Sequence, residues 1–296
     1  MYFEGKNYFH LAGVIPVASQ PMDYNFPWHD SCMPISQNYL AIEKAAVECA
    51  YAGCETIWII CNDDMQPLIR YRLGDYINDP VWNSRNKDYR PSESKKQIPI
   101  FYVPVHPKDR DKRDCLSWSV LYGAISSYNI SKQLSSWVIP DRYYVAFPYG
   151  VYPVEFLRQH RDVISSGKSF TLVYEGESVK ENKYLGFTFT NDDLVLLRRA
   201  LRDKATGLYA PTQGTDYPRE KLPLDERYSA RFFNLDEVFG PLNFDNSYLI
   251  DVEWYHGIDS WDNYCNFLSS KESKEIQRPP KNILSYHEFN KIGEED

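Results

Sequence analysis

The sequence predicts an α/β fold: a mixed, mostly parallel central sheet flanked by helices, Rossmann-like in its layering. Three observations carry this reading. Residues Thr56 to Cys61 form a continuous apolar run rich in β-branched side chains, as a strand buried on both faces requires. Before it, Gln37 to Tyr51 has helical periodicity, with Ile42, Ala45, Ala46 and Cys49 spaced three and four apart and Gly53 as a stop signal. An earlier apolar run, Phe9 to Ala18, completes a strand, helix and strand, the unit that a parallel crossover needs.

The alternation then repeats. Ile98 to Val103 reads as a strand, Leu116 to Leu134 as a helix and Tyr143 to Phe147 as a strand. A helix over Val154 to Ile164 and a strand over Phe170 to Tyr174 follow, which calls for helices covering a sheet. The polar segment Trp82 to Gln97, with Pro91, Ser92 and Ser94, is expected to be a long loop, of a length that in compact domains is often functional or mobile. Lys183 to Val252 carries shorter strand candidates and many turn residues, as a sheet edge or acceptor-side region would. Past Ser270 the chain becomes charged and contains Pro279 and Pro280. The expected organisation is one domain over residues 1–270 and a charged tail over 271–296, with no internal repeat.

Composition narrows the function classes. With 43% hydrophobic and 25% charged residues over 296 positions, the chain is an ordinary globular one. No stretch approaches the roughly 18 to 20 consecutive apolar residues of a membrane helix. The start lacks a signal-peptide layout, so a cytoplasmic location and no membrane partner are expected. Six cysteines without a Cys-x-x-Cys pair read as reduced structural thiols, and the six histidines do not cluster with them as a zinc site would. A net charge of −8 argues against a general nucleic-acid surface. Lys108 to Arg113, and Arg198, Arg199, Arg202 and Lys204, are local exceptions that read first as solvated faces. The 24 tyrosines and 7 tryptophans suit sugar or base stacking, and equally suit a core.

Several segments, in order, carry a family resemblance. Val14 to Asp23, then Phe26-Pro27-Trp28 and Met33-Pro34-Ile35, resemble the opening of the sugar-1-phosphate nucleotidyltransferases, where an apolar strand leads into a phosphate loop and a Pro-containing stretch. Tyr51 to Ile60 resembles that family's helix ending in Ala-Gly and its second strand. Pro140 to Phe147 falls where the central strand delivers a metal-binding aspartate. Val154 to His160 resembles the following helix, and Tyr184 to Phe187 the next strand entry. Glu253 to Tyr264 resembles the tryptophan and helix-start motif near the family's end. Together these cover about residues 10 to 268. The resemblance implies the nucleotide-diphospho-sugar transferase (GT-A-like) fold and a nucleotide-sugar ligand.

The motifs also depart from the family. Ser19 and Pro21 stand where the loop glycines fall, Asp23 stands near the arginine and Asp30 near the lysine. Carboxylates beside a polyphosphate repel it by on the order of a kcal/mol per close pair. Phe147-Pro148-Tyr149-Gly150 replaces the expected Gly-Asp, and His256-Gly257 lies near the second aspartate position. A divalent metal, Mg or Mn, is implied by the family, but its usual aspartates are not evident and its ligands stay unknown. The ends of strands at a switch region bind ligands in open α/β sheets. Candidate catalytic residues are therefore Asp63, Asp64, Glu253, His256 and Asp259, with a turn or helix cap as the plainer role for Asp63 and Asp64. Candidate nucleotide-binding residues are Val17, Ala18, Ser19, Gln20, Arg70 and Tyr149; surface ion pairing is the plainer role for Arg70 and Arg72.

The first functional expectation is a glycosyltransferase moving a sugar from a nucleotide-sugar donor to an acceptor hydroxyl. Degenerate chains of this kind resemble sugar-transferase-like proteins of large tailed phages, some of which modify hydroxymethylated bases of DNA, so DNA is an acceptor to consider. The alternatives are a sugar-1-phosphate nucleotidyltransferase and a non-catalytic nucleotide-sugar-binding protein. The sequence leaves the donor base, the sugar and the oligomeric state open.

Overall fold

The computed structural model describes residues 9–18, 28–85, 96–110, 115–135, 138–204, 220–223, 233–245, 247–280 and 283–284. The first half contains β1 (Leu11–Pro16), a hairpin of β2 (Pro34–Ser36) and β3 (Tyr39–Leu40), α1 (Ala41–Ala52), β4 (Thr56–Cys61) and α2 (Gln66–Leu73). Next come β5 (Tyr76–Asn78), α3 (Pro80–Arg85), β6 (Gln97–Pro104), α4 (Pro107–Arg110), α5 (Leu116–Leu134) and β7 (Arg142–Val145). The remainder holds β8 (Gly150–Val151), α6 (Arg161–Ile164), β9 (Phe170–Val173), β10 (Phe187–Phe189) and α7 (Asn191–Lys204). It ends with α8 (Leu235–Phe239), β11 (Tyr248–Asp251), β12 (His256–Gly257) and α9 (Trp261–Ser269).

Eight strands form one sheet in the order β11-β9-β10-β7-β1-β4-β6-β5. β1 pairs in parallel with both β4 and β7, and β4 with β6. Only β5 and β10 run against their neighbours. The mixed, mostly parallel sheet expected from the sequence is therefore present.

Strand alternation assigns the two faces. Leu11, Ile15, Ile57, Ile59, Tyr144 and Ala146 enter one apolar cluster with α1, while Ala12, Val14, Trp58, Ile60, Tyr143 and Val145 enter the other with α5, α7 and α8. The helices reach the central strands closely because of two glycines. A Cβ on Gly13 of β1 would lie 2.8 Å from Cys49 Sγ of α1, and one on Gly123 of α5 would lie 2.6 Å from Ile60 Cδ1 and 2.7 Å from Val14 Cγ1.

Some boundaries differ from the sequence reading. The helix expected from Gln37 starts at Ala41, because Asn38 takes a left-handed turn (φ 57°) and closes the β2–β3 hairpin. Glu43 then caps α1 by accepting from Leu40 N at 2.8 Å, and Gly53 (φ 92°) ends it. The helix expected over Val154 to Ile164 is a 3-10 turn, Glu155–Gln159, followed by the single turn α6. Only Leu157 and Ile164 are buried within those turns, too little apolar surface to hold a continuous helix. The expected loop is shorter at both ends: Trp82 lies in α3, where Asp79 Oδ1 accepts from Val81 N and Trp82 N, and Gln97 opens β6. Residues 86–95 lie outside the described residues, as do 111–114 of the basic run. Arg198, Arg199 and Arg202 occupy the exposed face of α7, whose Leu194, Leu197 and Leu201 are buried. Ile276, Ile283 and Leu284 pack into the α1-side cluster. No described helix is long and apolar enough to cross a membrane.

A buried polar node ties α1 to the loop beyond β7. Lys44 Nζ donates to Glu48 Oε2 at 2.7 Å and to the Gly150 carbonyl at 2.8 Å, and it sits 3.7 Å from the centre of the Tyr152 ring. Glu48 Oε1 accepts from Tyr144 OH at 2.8 Å and Tyr152 OH at 2.6 Å; Tyr152 in turn accepts from Gly186 N. Burial pulls the Lys44 ammonium below its usual range, and the Glu48 carboxylate opposes that shift.

Two stability outcomes follow from these contacts. Glu48→Ala, which strands the Lys44 charge, is expected to cost about 3 to 5 kcal/mol in urea denaturation, and Lys44→Met combined with Glu48→Leu to recover most of that loss. Gly123→Ala gains about 1 kcal/mol of helix propensity but inserts a methyl into Ile60 and Val14; a net destabilisation of about 1 kcal/mol is expected, and a stabilised variant would contradict the close approach.

Candidate functional site

The chain leaves β1 for β4 by way of α1 on one face and returns to β7 by way of α5 on the other. The crevice at the carboxyl ends of β1 and β7 is therefore the switch point of the sheet, where open α/β folds leave room for a ligand. Beyond β1, Val17 N and Ala18 N both donate to the Ile60 carbonyl, at 2.8 and 2.7 Å, and the Ala18 carbonyl accepts from Ser119 Oγ at the start of α5. Val17 and Ala18 thus lie at the centre of this edge, bound to β4 and α5. Ser19 and Gln20 lie outside the described residues.

Beyond β4, Asp63 and Asp64 are exposed in the turn before α2, and Asp64 Oδ1 accepts from Met65 N at 3.1 Å. Beyond β7, Phe147 and Tyr149 are buried, and Gly150–Val151 pairs antiparallel with His256–Gly257. Tyr149 packs edge-on against Tyr184, with ring centres 5.8 Å apart. His256 is half-buried, its ring tilted by 57° and 55° against those of Trp254 and Phe267, with Nε2 3.6 Å from Glu272 Oε2. Asp259 Oδ1 accepts from Asn263 Nδ2 at 2.7 Å, just before the Ser260 cap of α9. The structure therefore brings His256, Asp259 and Tyr149 together on the β7 side. It places Asp63 and Asp64 on the β4 side, with β1 between them in the sheet order. Glu253 is exposed in the bend between β11 and β12.

The arginines are engaged elsewhere. Arg70 Nε donates to Asp75 Oδ1 at 2.8 Å in an exposed pair, and Arg72 bonds Asn38 and Glu43 at the start of α1. Both act at the last turn of α2, Arg70 in an exposed surface pair and Arg72 against the buried Glu43 carboxylate.

Sequence reasoning passed over His29, whose isolated position carries no spacing signal. Its Nδ1 accepts from Ser31 N at 3.2 Å and faces Ser31 Oγ at 2.9 Å. A backbone N–H can only donate, so the proton sits on Nε2, which is buried and has no hydrogen-bond partner among the described residues. The Val17 carbonyl and the Asp64 carboxylate are near enough to favour the charged ring, although neither reaches Nε2 in hydrogen-bond geometry. Burial outweighs both and holds the imidazole down at about 4, neutral at physiological pH. Its neighbour Asp30 is 2% exposed, so the position near the family's lysine holds a buried carboxylate.

The residues present do not fit a two-aspartate metal site. Buried Phe147 and Tyr149 occupy the first position, and His256, held by Glu272 and two rings, stands near the second. Among the described residues, no three His, Cys, Asp or Glu side chains converge as a metal-holding group.

The neutral His29 has a measurable signature. Its folded pKa of about 4 lies below the ordinary 6.5, so the unfolded chain binds the extra proton between those values. Stability therefore rises with pH through this window and is lost as pH falls from 6.5 to 4, by about 3 kcal/mol from this group. Denaturant titrations of wild type and His29→Gln across that range should show a shallower acid limb in the variant. Superimposable limbs would mean that the ring is not held neutral.

No protein-family model matches the chain, and no curated protein matches it in sequence. Solved structures do. A UDP-glucose pyrophosphorylase complexed with UDP-glucose is 13% identical, with a TM-score of 0.51 over 90% of this chain and 100% of that one. An apo UDP-glucose pyrophosphorylase is 11% identical, with a TM-score of 0.50 over 91% and 100%. A UDP-glucose pyrophosphorylase from Acinetobacter baumanii is 12% identical, with a TM-score of 0.49 over 90% and 97%. The chain therefore shares the fold of these UDP-glucose pyrophosphorylases over about nine-tenths of its length, without close sequence kinship.

Proposed function

We propose that this chain is a nucleotide-sugar enzyme of the nucleotidyltransferase type. In this reading a sugar-1-phosphate oxygen attacks the α-phosphorus of a nucleoside triphosphate, forming a nucleotide-sugar and releasing pyrophosphate. The carrying observation is the end-to-end likeness to a UDP-glucose pyrophosphorylase whose structure holds UDP-glucose, covering 90% of this chain and 100% of that one. The switch-point crevice supports it: Val17 and Ala18, with Ser19 and Gln20 after them, would border the nucleobase, while Tyr149, His256 and Asp259 would stand on the sugar side.

One observation favours a second reading, transfer of the sugar itself from a nucleotide-sugar to an acceptor hydroxyl. Asp30 is a buried carboxylate near the position where the family carries a lysine, and a triphosphate is poorly served by negative charge there. In that reaction the acceptor oxygen bonds to the sugar's anomeric carbon, the nucleoside diphosphate leaves, and a carboxylate or histidine takes the acceptor proton. Asp63, Asp64, Glu253, His256 and Asp259 are the candidate bases.

Product analysis separates the two. The protein is incubated with each nucleoside triphosphate and glucose-1-phosphate, with Mg²⁺ or Mn²⁺, and pyrophosphate is measured; a parallel series follows nucleoside diphosphate released from nucleotide-glucose, with and without hydroxymethylated DNA. Pyrophosphate release in the first series is the expected result. Diphosphate release confined to the second would replace it with sugar transfer. Thermal stabilisation by nucleotide-glucose with neither product would leave a binding protein.

A further inference from the structure

The last strand of an open sheet leaves a row of backbone N–H and C=O groups unpaired unless something covers it. The two ends of this sheet are finished differently. At β5, Asn78 N donates to the Ile283 carbonyl at 3.1 Å, so the late chain segment lies against that edge. At the other end, β11 has no such cover among the described residues.

β11 runs parallel to β9 in an unbroken register, from Tyr248 opposite Phe170 to Asp251 opposite Val173. Tyr248 N donates to the Ser169 carbonyl at 2.7 Å and Val252 N to the Val173 carbonyl at 2.9 Å. Backbone groups alternate in direction along a strand, so those of Leu249 and Asp251 point away from β9 and out of the sheet. The side chains here are apolar and open to solvent, with Leu249 53% and Tyr248 38% exposed. The usual guards of an edge are sparse: the strand has no proline, and Asp251 is its one charge.

Such an edge is complementary to itself. Two copies of β11 related by a twofold axis at Leu249 run antiparallel, so the two Leu249 residues exchange both backbone bonds and Asp251 N meets the carbonyl of the partner's Ser247. Leu249 then faces Leu249 on one side of the sheet and Tyr248 faces Ile250 on the other, apolar pairs on both faces. A register centred on Ile250 would instead set Leu249 against a carboxylate, Asp251. Charge favours the same occupant. Lys168 is exposed just before β9, with Nζ 5.3 Å from the centre of the Tyr248 ring and no carboxylate in ion-pair reach among the described residues. Antiparallel pairing brings the partner's Asp251 to the Tyr248 end of the strand, toward that ammonium.

We infer that β11 is an interaction edge that pairs with β11 of a second copy of this chain, joining two eight-stranded sheets into one. An edge of four residues falls well short of the ~800 Å² per partner of a standard stable interface, so the dimer is weak and forms only at high concentration. The pairing is independent of the nucleotide-sugar reading and is measured without ligand.

The test is sedimentation velocity of the full chain from about 1 to about 300 μM, the range over which a weak association fills, with amide hydrogen exchange at both ends of the series. The expected result is a mass rising from one chain toward two. Exchange at Leu249 and Asp251 should slow several-fold as the dimer fills, while Tyr248 and Val252, already bonded to β9, change little. Leu249→Lys, at an exposed position, sets two ammonium groups against each other at the axis and should return the chain to a monomer. The exchange comparison uses the wild-type chain, so it decides even if Leu249→Lys folds poorly. A chain that stays monomeric throughout overturns the inference and leaves the edge to a partner of another kind. A dimer that survives Leu249→Lys, or one in which Leu249 and Asp251 exchange as fast as in the monomer, overturns it as well, because the contact then lies elsewhere.

Discussion

The arrangement at the carboxyl edge depends on the buried pair of Lys44 and Glu48. Two charges removed from water are tolerable only when each finds enough partners, and here they do: the ammonium has a carboxylate, a carbonyl and a ring, while the carboxylate receives two phenols and the ammonium. The partners come from separate parts of the chain. Tyr144 belongs to β7, Gly150 to β8, and Tyr152 passes the connection on to Gly186 before β10. A Cβ on Gly186 would stand 2.7 Å from Glu48 Oε1, so the node also determines which residue fits there. Through Gly150 the same node fixes β8, and β8 is what β12 pairs with. The placement of His256 and Asp259 is thus a consequence of a helix residue far away in sequence.

A second polar clip closes the opposite end of α1. Arg161 donates to the Tyr51 carbonyl and to the Ala50 carbonyl, which also accepts from Gly53 N, and forks onto Asp79. Asp79 meanwhile caps α3. With Glu43 held by Arg72 and Arg278 at its beginning, α1 is fastened at both ends and in the middle by charge, and along its length by apolar contact.

The two flanks of the crevice differ in character. The β4 side presents the exposed Asp63 and Asp64 near a histidine kept neutral by burial. The β7 side presents rings, with Asp259 and the lysine that follows the Glu177 turn. The β4 flank is thus exposed and acidic, and the β7 flank is richer in aromatic surface and carries charges of both signs.

Much of the fold was legible from the sequence because it rests on local periodicity. Thr56 to Cys61 and Leu116 to Leu134 are strand and helix from end to end, and Gly53 ends α1 as its position implied. Boundaries failed where the deciding contact was a turn conformation or a shortage of buried surface, as at Asn38 and in Glu155–Gln159. Asp63 and Asp64 follow the carboxyl end of β4, where strand direction alone puts them, whereas His256 lies in the separate β8–β12 pair. The partners of candidate residues were not legible: Asp75 for Arg70 and Glu272 for His256 are set by how separate turns pack. His29 and the Lys44–Glu48 node lay beyond sequence for the same reason. The sequence by itself determined the order of strands and helices, because the apolar period is written in neighbouring residues. Only the tertiary structure decided which charges are buried, paired or available at the crevice, because burial and pairing depend on residues brought together from across the chain.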